Sequence, residues 1–131
     1  MNIEAIRNYC LEKPTVEEGM PFGETVVVFK VEGKMFLLLP VDSERVQFNV
    51  KCDPEKAVEL RANYPCVHPG FHMNKTHWNT IYVDGSVPDQ LILEWIDDSY
   101  NLIKAGIKKK VAKKNKKMPV EKEVNVRKSR K

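Results

Sequence analysis

Twelve residues, His68-Pro-Gly-Phe-His-Met-Asn-Lys-Thr-His-Trp-Asn79, hold all three histidines and one of the two tryptophans of the chain, so chemistry is sought there first. The spacing Cys66-x-His68-x3-His72-x4-His77 combines thiol and imidazole donors of the kind that suit zinc or a related metal. It matches none of the usual paired-ligand motifs, which leaves a structural or hydrogen-bonding role as the alternative for the histidines. A nucleophilic Cys66 beside His68 would need an activated thiol and an oxyanion donor, and sequence neighbours rarely face one another correctly. The adjacent carboxylates Glu17-Glu18 and Asp97-Asp98 would point about 100° apart on a helix, which suits a solvated surface better than paired acid–base work. No glycine-rich phosphate loop occurs. The expectation is a chain that is not an enzyme and that carries no cofactor and no metal.

The same stretch supports two readings. As a rigid connector, Asn74 and Lys75 satisfy turn carbonyls, Trp78 and Tyr82 pack under a helix, and His77 and Asn79 tie a strand edge. As a site, His72, Asn74, Lys75 and Asn79 line a groove floored by aromatic residues, able to hold an anionic or planar ligand such as a nucleic-acid phosphate or an exposed base. His77, Trp78, Lys34 and Lys51 join that candidate set.

The elements that must position these residues follow from periodicity. Asn2 caps a first helix to about Lys13, with Ile3, Ile6, Cys10 and Leu11 on one stripe, and Pro14 ends it. Thr15-Val-Glu-Glu18 has the form of a capping box, but Gly19 and Pro21 follow so closely that a single turn and then a loop to Gly23 is expected. Thr25–Val31 and Lys34–Leu39 read as strands joined at Glu32-Gly33 in a hairpin. Arg45–Lys51 alternates as a third strand, with Val46, Phe48 and Val50 on one face. Asp53 caps and Pro54 starts a helix bearing Ala57, Leu60 and Tyr64, and Pro65 stops it. Trp78–Val83 is a fourth strand ending at Asp84-Gly85, with Trp78, Thr80 and Tyr82 on one face and His77, Asn79, Ile81 and Val83 on the other. Ser86 and Asp89 open the longest helix, which sends Leu91, Ile92, Trp95, Ser99, Leu102 and Ile103 to the core and runs to about Lys109. The order α-β-β-β-α-β-α predicts an α+β fold, with a largely antiparallel sheet of about four or more strands and the helices on one face.

Charge divides the chain. Residues 1–107 carry 10 Lys and Arg against 16 Asp and Glu, a net of −6, whereas residues 108–131 carry 12 against 2, a net of +10. A compact domain over 1–107 and a basic, disordered tail over 108–131, with some helix at its start, are therefore expected. Lys108, Lys109, Lys110, Lys113 and Lys114 are the tail's candidate phosphate contacts. The longest apolar run, Met35–Val41, is far short of the roughly 18 residues of a membrane span, and the N-terminus lacks a signal-peptide pattern. Three cysteines without a Cys-x-x-Cys pair suggest reduced thiols, so a cytoplasmic protein with no membrane partner is expected.

Pro21-Phe-Gly23, Gly33-Lys-Met-Phe36, Lys51-Cys-Asp-Pro54, Pro69-Gly-Phe-His-Met-Asn-Lys75, His77-Trp78-Asn79, Val87-Pro-Asp89 and Ser99-Tyr100 form an ordered set of motifs over about residues 1–110. In these the chain resembles the MmcQ/YjbR family of small bacterial proteins. The resemblance implies a frataxin-like (CyaY-like) α+β domain, described in the family as a "double wing" DNA-binding module. The expected function is non-enzymatic DNA binding, with salt-sensitive contacts from the tail and from the His68–Asn79 groove. The alternative is a small-ligand or protein-interaction module using that groove, with the tail incidental. A frataxin-like metal-handling role would rest on fold analogy alone.

Overall fold

A computed structural model describes residues 1–117, as three helices and one sheet. The helices are α1 (Ile3–Leu11), α2 (Pro54–Asn63) and α3 (Asp89–Lys117). The strands are β1 (Val16–Gly19), β2 (Val26–Val31), β3 (Lys34–Pro40), β4 (Gln47–Lys51), β5 (Val67–Pro69) and β6 (Trp78–Tyr82). They form one antiparallel sheet in the order β1-β2-β3-β4-β6-β5. The α+β class and the antiparallel sheet agree with the expectation, and two strands are additional. Thr15 takes a positive φ of 58° and turns Val16–Gly19 onto β2, so the capping-box pattern opens a strand in place of a turn. β5 has only three residues and ends at a proline on the sheet edge, too short to show a period.

All three helices cover the same face of the sheet. Ile6 and Cys10 of α1, Ala57 and Leu60 of α2, and Ile92, Trp95, Ile96 and Tyr100 of α3 share one core with Phe29, Leu37, Leu39, Phe48, Val50 and Ile81. Residues of opposite parity, Val28, Leu38 and Trp78, gather on the other face with Val26, Met35 and Met73. The β2–β3 register shifts between Phe29 and Lys30, whose partners are Leu37 and Met35. Phe36 is the extra residue, and the bulge sends both Phe36 and Leu37 into the helix-side core, fully buried. Glu32 and Gly33 have φ of 50° and 85°, the left-handed pair that a two-residue hairpin needs, as expected from Glu-Gly.

The capping expectations divide. Asn2 accepts from the Ala5 amide at 2.8 Å. Asp53 makes no side-chain cap bond; the α2 start rests on Pro54 and on the Asp53 carbonyl, which accepts from Ala57 at 2.8 Å. Ser86 does not cap α3, because its amide donates to Asp84 Oδ1 at 3.0 Å in the preceding turn, and the helix begins three residues later. On α3, Ile96 and Tyr100 face the core and Leu102 is exposed. The first departs from the expected stripe because the buried set follows Ile92, Trp95, Ile96, Ser99 and Tyr100, a true 3.6-residue period. The helix passes the 107/108 boundary without a break and ends at Lys117; residues 118–131 of the basic tail lie outside the described residues.

The adjacent carboxylates of α3 are not simply solvated. Asp97 accepts from the Tyr9 hydroxyl at 2.8 Å and pairs with Lys13 on the α1 side, while Asp98 pairs with Lys56 of α2 at 3.0 Å. Their divergence on the helix lets each tie α3 to a different neighbour. Burial and the bond to Asp97 push the Tyr9 phenol up to about 12. Glu18, half of the other pair, is gripped by both nitrogens of Arg7, at 2.8 and 2.5 Å, which joins β1 to α1. Hydrogen bonding to Arg7 holds the Glu18 carboxyl below the usual range.

Ser99 is fully buried and stands where β3 and β4 part. Those strands pair only at Leu37–Val50 and Leu38–Asn49. Beyond them Ser99 Oγ donates to the Phe36 carbonyl at 2.6 Å and accepts from the Lys51 amide at 2.9 Å, replacing rungs the ladder lacks. Replacing Ser99 by Ala strands both backbone groups in the core. Urea unfolding should show a loss of about 2 kcal/mol with an unchanged m-value; a loss below about 0.5 kcal/mol would show that the bridge does not hold the strands.

Candidate binding groove on the helix-free face

The helix-free face is covered only by loops, chiefly Gly70–His77. That loop is tightly ordered by its own backbone. The Gly70 amide donates to the Trp78 carbonyl at 2.9 Å, Met73 to Gly70 at 3.2 Å, and Trp78 to Asn74 at 3.0 Å. The Asn74 side chain accepts from the Thr76 amide at 2.9 Å, and Lys75 Nζ donates to the Gly70 carbonyl at 3.1 Å. From the helix side, the Arg61 guanidinium donates to Asn79 Oδ1 at 2.7 Å and to the Lys75 carbonyl. The Phe71 amide donates to Thr80 Oγ1 at 2.9 Å, which pins the loop against β6.

At the groove this ordered loop presents two exposed rings. Phe71 is 59% exposed, and His72 lies against it with ring centroids 4.0 Å apart. His72 holds a positive φ of 61°, a cost that surrounding structure must sustain. Together with Met73 they wall a groove of about 710 Å³. Phe22, 63% exposed, lines it too, from the loop between β1 and β2. Val26, Leu38, Met35 and Pro40 supply apolar surface, and Asp42, Ser43, Gln47 and Asn49 supply polar edges. Among the described residues no Lys or Arg lines it.

Of the residues read from sequence into one groove, only His72 lines it. Asn74 and Lys75 are spent on the loop's own turns, as the connector reading expects. Asn79 is 1% exposed and faces the helices, where Nδ2 donates to the Ala57 carbonyl at 3.4 Å. The parity of β6 puts it opposite Trp78 and away from the groove. Trp78 is buried on the helix-free face under the loop, with Val28 and Leu38, and not under a helix. His77 contributes its carbonyl, which accepts from Cys52 at 2.8 Å where β4 ends. Lys51 lies opposite Trp78, and Lys34 is exposed at the hairpin; neither lines the groove. Lys108 and Lys109 are exposed on α3, and Lys110, Lys113 and Lys114 follow on the same helix.

The four candidate metal donors do not converge: Cys66 is buried in the helix-side core, His68 meets the Tyr82 ring edge-on at 5.0 Å, and His72 lies tilted at 49° against Phe71. Among the described residues no three His, Cys, Asp or Glu side chains gather around a common point that could hold an ion. Burial pushes the Cys10 thiol up to about 12 and raises that of Cys52, which disfavours the nucleophilic thiolate.

Phe22, Phe71, Gln47 and Asn49 were not legible as site residues. The available signal was a large apolar side chain isolated in a glycine- and proline-marked turn, Pro21-Phe22-Gly23 and Pro69-Gly70-Phe71, where no periodic core position explains it.

A family model described as YjbR matches residues 11–102. The uncharacterized protein YbdF of Escherichia coli O157:H7 is 38% identical over 112 residues, covering 85% of this chain and 91% of its own. The uncharacterized protein YjbR of Escherichia coli K12 is 36% identical over 100 residues, covering 76% and 85%. Among solved structures, the Deinococcus radiodurans protein DR2400, a DUF419 domain, superposes with a TM-score of 0.74 at 36% identity over 78% of each chain. A Pseudomonas syringae protein superposes with a TM-score of 0.68 at 27% identity, covering 78% of this chain and 98% of its own.

Gly70 is required by closeness. A Cβ there would stand 2.8 Å from Trp78 Cβ, 2.9 Å from the Trp78 carbonyl oxygen and 3.1 Å from Met73 Cβ. Gly70→Ala should cost about 1–3 kcal/mol, and hydrogen exchange should show lost protection at the Gly70, Met73 and Trp78 amides. Unchanged protection would mean that the loop tolerates the methyl. The buried thiols give a second check. All three cysteines should resist Ellman's reagent in native protein and react together on unfolding; a fast native thiol would contradict their burial.

Proposed function

The chain belongs to the YjbR family, and from that premise we propose that it is a non-enzymatic, cytoplasmic DNA-binding protein, held to the phosphate backbone chiefly by the basic end of α3. The observation that carries this reading is the course of that helix. Between Asn101 and Lys109 none of its residues is buried, and the helix continues to Lys117. Lys104–Lys117 includes eight lysines and no acidic residue. At about 1.5 Å per residue the segment spans roughly 20 Å, long enough to meet several phosphates of a duplex. The net −6 of residues 1–107 opposes broad phosphate contact elsewhere and keeps the interaction at this end. A CyaY-like fold of the double-wing type belongs to the same reading, supported by three helices on one face of an antiparallel sheet. The groove of about 710 Å³ favours a second reading, a small-ligand or protein-interaction module, because its size and apolar lining suit a drug-sized occupant.

Fluorescence anisotropy with a labelled short duplex tests the first reading. Affinity should fall at least about tenfold between roughly 50 and 200 mM salt, and replacing Lys108, Lys109, Lys113 and Lys114 by Gln should weaken binding and flatten the salt slope. No binding of the full chain at the lowest salt would refute it.

A further inference from the structure

We infer that the helix-free face of the sheet is a platform for the unpaired bases of a nucleic-acid strand, which would give the protein a preference for single strands over duplex. The inference rests on the DNA-binding reading and assigns the groove a part in it.

The groove has the surfaces that a base needs and lacks those that a phosphate needs. Phe22 and Phe71 both line it and both expose more than half of their area, against the usual tendency of phenylalanine to be buried. The His72 ring, held beside Phe71 by a positive φ, extends the aromatic wall. Base stacking on such rings is tolerant of sequence, because every base has a π face. The Gln47 amide, the Ser43 hydroxyl and the Asp42 carboxylate lie within the lining and can meet the donor and acceptor edges of a base. With Asp42 in the lining and no Lys or Arg there among the described residues, the groove disfavours a phosphate and admits a neutral heterocycle.

Charge outside the groove completes the match. Gln47 pairs across the ladder with Tyr82, a partly buried residue at the end of β6 that packs against the helix-side core. There the Arg45 guanidinium lies over the Tyr82 ring, 4.2 Å from its centroid, and His68 meets the ring edge. Asp84 is the carboxylate near Arg45. An exposed arginine stacked on tyrosine offers both a further π surface and a partner for the strand's phosphates. The net +10 of residues 108–131 adds attraction for any polyanion. Bases would therefore lie in the groove and phosphates outside it, an arrangement that a duplex, with its bases paired inside, cannot adopt.

The ordered loop is what makes this platform effective. The Phe71 amide and carbonyl are held by Thr80 and Asn49 before any ligand arrives, so binding has less backbone to order.

The test uses the full chain with labelled oligo-dT and a duplex of equal length at low salt. Wild type should bind the single strand more tightly. Phe71→Ala and Phe22→Ala should each weaken single-strand binding by about 5- to 100-fold, leave duplex affinity unchanged and keep the salt slope, while Phe71→Trp retains binding. Oligo-rU in place of oligo-dT separates an RNA from a DNA strand, and tight binding of either that Phe71→Ala weakens supports the platform. If duplex binds and both alanine variants hold single strands as wild type does, the platform is wrong and the DNA-binding reading stands. If neither probe binds, both fall.

Discussion

A pleated sheet sends alternate side chains to opposite faces, and in this protein three helices cover only one of them. Every other feature depends on that constraint. The helix side takes the aromatic and branched residues of β2, β3, β4 and β6 into a single core. The remaining parity, Val28, Leu38 and Trp78, would face water without further cover. A loop supplies that cover, and the apolar surface it leaves open becomes the groove.

Two small residues make the arrangement possible. The Ser99 hydroxyl occupies the gap where β3 and β4 diverge, answering the Phe36 carbonyl that the bulge leaves without a strand partner. Gly70 lets the loop backbone reach Trp78 closely enough for a direct amide-to-carbonyl bond. Neither residue touches the groove. One keeps the sheet intact beneath it, and the other sets the position of Phe71 and His72 above it.

The groove and the basic end of α3 have opposite electrostatic character. The groove carries aromatic faces, amides and one carboxylate, which suits a neutral planar group. The end of α3, Lys104–Lys117, carries eight lysines and no acidic residue. A polyanion with exposed bases could engage both, the helix by long-range attraction and the groove by contact. The histidines that first suggest a metal are instead divided among different tasks: edge contact with Tyr82, a tilted contact with Phe71, and a backbone link to β4.

Much of this was legible in the sequence alone. The α+β class, the Glu32-Gly33 hairpin, the Asn2 cap, the alternation of β4 and the family itself follow from local periodicity, turn chemistry and short motifs. The separation of an acidic domain from a basic end is a matter of counting. Only tertiary structure decided the rest, because it depends on partners distant in the chain. β1 and β5 exist by pairing, not by propensity. The bulge at Phe36 changes which residues face inward, and no alternation rule can foresee it. The parity of β6 was legible, but Asn79 looked like a groove residue until the helices covered the face it shares with Ile81 and brought Arg61 and Ala57 to it. Within His68–Asn79 the polar residues build the loop, and the rings left exposed at the groove are Phe71 and His72, a distinction that burial alone could make.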